Sequence, residues 1–168
     1  IGVRLVGSEM CIRDRVIQAL VEPLARERVL LQKEAVAYYE AIQEFVVAEE
    51  SDGTLAGFGA LHVMWQDIAE VRTLAVSEAH RGAGVGHLLI EELLDRARAV
   101  GVERVFCLTF EVEFFRRHGF EVMADQSAVD PEVYAELLRS TDEGVAEFLD
   151  LARVKPNTLG NTRMIRRL

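Results

Sequence analysis

At 168 residues, half of them hydrophobic and 28% charged, the chain has the length and make-up of one soluble globular domain. A formal charge of −9 argues against a general nucleic-acid binder, which needs a surplus of Lys and Arg to neutralise phosphates. No run approaches the roughly 18 apolar residues of a membrane span, and Cys11 and Cys107 form neither a disulfide framework nor a metal-ligand spacing, so no membrane, no metal and a reducing cytoplasm are the expectations.

The opening stretch "VGSEMCIRDR" has no helical or strand period. From Val16 to Leu31, Val16, Ile17, Leu20, Val21 and Leu24 recur at helical spacing, with Pro23 ending or kinking that helix. "KEAVAYYEAIQEF" places Ala35, Val36, Tyr39 and Ile42 on one face of a second helix. "EFVVAEE", the turn "SDG" and "TLAGFGALHVM" read as a β-hairpin, followed by a strand from Glu70 to Val76. "GHLLIEELLDRARAVG" is an amphipathic helix capped by Gly101, and "VERVFCLTF" a buried strand holding Cys107 as an inert core residue. A short helix "EFFRRHGF" and a strand "FEVM" come next. Asp130 and Pro131 start another helix in "DPEVYAELLRS", "DEGVAEFLDLA" is helical, and "NTRMIRRL" reads as a closing edge strand with Arg166 and Arg167 as ordinary tail charges. This order predicts an α/β fold with a mixed sheet and helices on both faces.

"HRGAGVGHLL" follows a strand and opens a helix. Its glycines, Gly82, Gly84 and Gly86, permit φ > 0 and close backbone approach, so several N–H groups can converge on a pyrophosphate at the positive helix end. The P-loop and dinucleotide glycine patterns are both absent. Arg81, Gly84 and Gly86 stand instead at the fixed positions of a [QR]-x-x-G-x-[GA] signature, and the motif resembles that of the GNAT superfamily of acetyl-CoA-dependent N-acyltransferases. "EVRTLAV" before it and "FFRRHGF" after it match the same family in order and spacing.

That resemblance implies a mostly antiparallel sheet and acetyl-CoA as co-substrate, with the pyrophosphate on Arg81, Gly82, Ala83, Gly84, Val85, Gly86 and His87. The pantetheine arm is implied to lie beside Leu74, Ala75 and Val76. Longer stretches, among them "GALHVMWQDIAEVRTLAV" and "GVAEFLDLARVKPNTLGNTRM", resemble the short, single-domain N-acetylglutamate synthases of actinobacterial type. L-Glutamate is then the implied acceptor and arginine biosynthesis the implied setting. Glutamine, another amino acid or a peptide N-terminus are the nearest alternatives, and a non-catalytic acetyl-CoA-binding module is an alternative of another class. The expected partners are these small molecules, with a homodimer as a possible assembly.

A substrate with two carboxylates calls for cations. Arg72, Lys33 and Arg163 are the candidates, with Lys155 and Asn157 behind them. Glu70 matches the position of the glutamate base in the family's histone-acetylating members and is the candidate to take the proton of the acceptor ammonium. Many members place a Tyr, as acid for the leaving thiolate, where this chain has Phe115; His62 and His118 are the nearby alternatives, each more readily a structural residue.

The opening residues remain. Arg4 to Arg15 read back into a nucleotide string that resembles the adapter of transposase-based sequencing libraries. Residues 1–15 are therefore expected to be adapter-derived, joined to a single acyltransferase domain at 16–168 whose own first strand is missing. The acidic balance survives their removal, and the β-forming stretch "GVRLV" suits the vacant strand place.

Overall fold

The computed structural model describes residues 1–5, 36, 40–123, 129–149, 151 and 161–168. The expected helices before residue 40 therefore lie almost wholly outside the described residues, as do Cys11, Lys33, Lys155 and Asn157. Among the described residues, strands β1 (Gly2–Leu5), β2 (Phe45–Glu49), β3 (Leu55–Trp65) and β4 (Ile68–Val76) precede helix α1 (Val85–Val100). There follow β5 (Arg104–Thr109), α2 (Val112–Arg117), β6 (Glu121–Val122), α3 (Pro131–Leu137), α4 (Glu143–Phe148) and β7 (Thr162–Arg167). The strand order is β1-β2-β3-β4-β5-β7-β6. Pairing is antiparallel for β1–β2, β2–β3, β5–β7 and β6–β7, and parallel for β4–β5, whose connection is the helical crossover α1. No described helix is long and apolar enough to cross a membrane.

The chain forms two compact units. The first comprises Ile1–His62 and Val71–Gly101. Here the β2–β3 hairpin turns at Gly53, whose φ of 89° suits a residue without Cβ, while the Asp52 carboxylate accepts the Thr54 N–H at 2.8 Å. Phe45, Val47, Phe58 and Ala60 form its sheet core, joined by Ala41, Leu55 and Ala75. Helix α1 buries Val85, Leu89, Ile90, Leu93, Leu94 and Ala97 and packs over β2, ending at Gly101 with φ 85°, as its sequence predicts. The stretch "GVRL" occupies the strand place beside β2, with Gly2 opposite Glu49 and Leu5 opposite Val46.

The second unit comprises Val63–Glu70 and Val102–Leu168. Its core joins Met64, Ile68 and Phe106 to Leu137, Val145, Phe148 and Leu149. The first of the two short helices starts as its sequence predicts, Asp130 accepting the Glu132 N–H at 2.9 Å; at the start of the second, Asp142 accepts the Val145 N–H at 3.0 Å.

Two expectations are corrected. β7 is not an edge strand, because β6 pairs its outer side, Glu121 with Ile165 and Val122 with Met164; only two residues long, β6 shields a strand whose three arginines read as solvent-facing. Arg166 is not a tail charge either: its guanidinium donates to the His118 carbonyl at 2.5 Å and lies against Gly119, whose φ is 77°.

Candidate functional site

In the first unit, β4 runs into the glycine loop through a 3-10 turn at Glu78–His80. Two kinds of glycine build this region. Gly82 and Gly84 have φ of 80° and 81°, and an added Cβ at either would meet nothing within 4 Å. Their requirement is backbone conformation, and the space above them is open. Gly84 is also the N-cap of α1, so the loop delivers the exposed Arg81, Gly82 and Ala83 to the start of a sixteen-residue helix, whose own ladder leaves its first N–H groups unused. Val85 is buried beneath the loop, and His87 is exposed on the first turn.

Gly57 and Gly59 on β3 work differently. A Cβ at Gly57 would lie 2.7 Å from the Ala75 carbonyl oxygen and 3.0 Å from Leu89 Cδ1. One at Gly59 would lie 2.9 Å from both Leu74 Cδ1 and Leu93 Cδ1. The missing side chains let Leu74 to Val76 and helix α1 press onto β3. The segment is reached through Thr73, the one described non-glycine residue with positive φ, at 57°. A β-branched residue in the left-handed region carries strain of about 1–3 kcal/mol. Leu74, Ala75 and Val76 beyond it are only partly buried, and Arg72 just before it is half-buried.

Three side chains steady the stem of the loop. Ser77 Oγ lies 2.6 Å from His80 Nδ1, and His80 Nε2 lies 2.8 Å from Glu50 Oε1. The Ser77 N–H donates to the Ala56 carbonyl at 2.9 Å, tying the end of β4 back to β3. Nothing in the sequence pattern marks Glu50 or His80 as partners, because they are thirty residues apart and meet only in the folded chain.

In the second unit Glu70 is buried, with 7% of its surface exposed, opposite Phe106 in the parallel ladder. Cys107 lies next along β5. Burial first, and the Glu70 charge second, raise its thiol well above the ordinary cysteine range, so it is an inert core thiol as its sequence predicts. The Glu70 carboxylate rests over Gly144 in the first turn of α4: a Cβ there would fall on Glu70 Oε2 and lie 2.8 Å from Glu70 Cδ. Gly144 escapes a reading of the sequence; its one signal is a glycine inside an otherwise well-capped helix. Arg163 is half-buried on β7 opposite Leu108.

The alternative proton donors are otherwise engaged. Phe115 is buried, with ring contacts to Phe114 and Phe120 at 5.2 Å each. His118 Nδ1 lies 2.8 Å from the Phe114 carbonyl oxygen, and His62 Nδ1 lies 2.6 Å from Glu44 Oε1.

A family model described as Acetyltransferase (GNAT) family matches residues 14–120. An amino-acid acetyltransferase of Mycobacterium tuberculosis is 52% identical over 151 residues, covering 89% of this chain and 86% of that protein. Among solved structures, one from Mycobacterium tuberculosis in complex with CoA has a TM-score of 0.92 and 48% identity, covering 100% of this chain and 99% of that one. An N-acetylglutamate synthase from Neisseria gonorrhoeae, complexed with coenzyme A and N-acetyl-glutamate, has a TM-score of 0.76 and 27% identity. This chain covers 35% of its length.

Proposed function

Because the chain belongs to the acetyltransferase (GNAT) family, we propose that it transfers the acetyl group of acetyl-CoA to the α-amino group of L-glutamate. The observation that carries this reading is the loop Arg81–Gly84, opened by two left-handed glycines onto the N-terminus of α1. Such a loop suits the pyrophosphate of coenzyme A, with Arg81, Gly82, Ala83, Gly84, Val85, Gly86 and His87 around it. The partly buried backbone of Leu74, Ala75 and Val76 suits the pantetheine arm. The amino-acid acceptor is supported by the 52%-identical amino-acid acetyltransferase and by the structural similarity to a synthase holding N-acetyl-glutamate.

In this reading Glu70 takes a proton from the acceptor ammonium, and the freed amine attacks the thioester carbonyl directly. A strand N–H at Ala75 or Val76 receives the oxyanion. The tetrahedral adduct gives up its remaining extra amine proton to water and collapses with cleavage of the C–S bond, giving the N-acetyl amino acid and CoA thiolate. Phe115 has no proton to give, so the thiolate is protonated by water or leaves unassisted. Arg72, Lys33 and Arg163 receive the acceptor carboxylates. Acetyl-CoA and glutamate are the partners, in the cytoplasm.

Thiol release with acetyl-CoA and either glutamate or glutamine tests the acceptor. Faster release with glutamine would replace it, and no release with any amino acid would leave a binding module. Glu70→Gln tests the base: turnover should fall about 10²-fold or more while acetyl-CoA binding persists, and unchanged turnover would remove Glu70 from that role. We read residues 1–15 as adapter-derived and 16–168 as one acyltransferase domain; recovering those codons from native genomic DNA would end that reading.

A further inference from the structure

We propose that Gly144 is a positioning residue for the acetyl transfer: the absence of a side chain there gives the Glu70 carboxylate its place. The inference rests on Glu70 being the base. Its geometry follows from the packing of α4. Phe148 stacks edge-on against Phe106 with ring centroids 5.2 Å apart, and Phe106 is the ladder partner of Glu70. Val145 and Ala146 are buried on the same short helix, so its first turn is held against the start of β4. Asp142 fixes that turn by accepting the Val145 N–H.

The Glu70 carboxylate then occupies the volume of the missing side chain. Besides overlapping Oε2 and crowding Cδ, a Cβ at residue 144 would lie 3.0 Å from Asp142 Oδ1. The backbone at Gly144 does not require glycine, since its φ is not positive. Ala is the better residue inside a helix by intrinsic preference. Space for Glu70 is therefore what glycine supplies at this position.

The test is Gly144→Ala, alone and combined with Glu70→Asp, whose carboxylate is one methylene shorter. Gly144→Ala should lower kcat at least tenfold with the affinity for acetyl-CoA unchanged, and its crystal structure should show the Glu70 carboxylate displaced. Glu70→Asp should lower kcat in the native background but raise it in the Gly144→Ala background, because the shorter side chain clears the new methyl. A merely structural glycine would not give that reversal of sign. Native kcat in Gly144→Ala, an undisplaced carboxylate, or equal effects of Glu70→Asp in both backgrounds would overturn the proposal. If Gly144→Ala alone does not fold, the double variant should; failure of both would overturn it as well. Unchanged turnover in Glu70→Gln, by contrast, would remove the base and with it any catalytic role for Gly144, while the displacement in the crystal would still report on the steric claim.

Discussion

Replacing Gly57 by Ala should be far more damaging than replacing Gly59, although both glycines lie on β3 under the same helix. The Cβ added at Gly57 meets backbone, the Ala75 carbonyl oxygen at 2.7 Å and Val76 Cα at 3.3 Å. Reaching ordinary contact requires β4 to move by about 0.7 Å, and strain of this kind costs about 1–3 kcal/mol. The displaced segment is the one assigned to the pantetheine arm, and a shift approaching 1 Å at a reacting centre costs up to about 10²-fold in rate. At Gly59 the close contacts are the ends of Leu74 and Leu93, which rotate away. Gly57→Ala should therefore lower the urea midpoint and reduce kcat/KM for acetyl-CoA at least tenfold, whereas Gly59→Ala should change each several-fold less. Trimming Leu89 to Ala should not rescue Gly57→Ala, because the nearest obstacle is a main-chain oxygen. Equal effects at the two glycines, or rescue by Leu89→Ala, would refute the claim that β3 is bare to admit the backbone of β4.

Two further predictions concern single side chains. Arg72→Ala should raise KM for glutamate by about 10–100-fold, the worth of one charge-assisted hydrogen bond, with KM for acetyl-CoA unchanged; an effect confined to acetyl-CoA would remove Arg72 from the acceptor site. Cys107 has a folded thiol pKa above its unfolded value, so the folded state keeps a proton that the unfolded state releases. Its contribution is complete below the ordinary thiol range and declines as pH rises through it. Urea midpoints measured from pH 8 to pH 10 should accordingly fall less steeply for Cys107→Ala, and parallel profiles would contradict burial of the thiol as the cause.

What the sequence made legible is local. Gly101 ends α1 and Asp130 starts α3 because a cap is decided within one helical turn. The glycine loop was legible because three glycines between a strand and a helix point to few other chemistries. The departures are all tertiary. Thr73 is β-branched and reads as regular strand, yet it sits in the left-handed region. Alternation along β7 says which residues share a face but not which strand lies beside it, and β6 is too short to announce itself. Arg166 reads as a terminal charge because the His118–Gly119 turn that it grips is remote in sequence. Gly144 and Glu70 likewise meet through packing between remote elements, Phe148 and Val145 of α4 against Phe106 and Ile68.

One contact in the first unit reaches further than its size suggests. The Arg96 guanidinium, on the inner part of α1, donates to the Glu44 and Gln43 carbonyl oxygens at 2.9 Å each. Burial lowers its proton affinity, with Glu92 and Glu44 opposing that change, and an arginine so placed stays charged at any physiological pH. Opening the turn entering β2 therefore costs two charge-assisted hydrogen bonds that tie it to α1. In hydrogen-exchange terms, that turn should open together with α1, and its protection should report the stability of the helix.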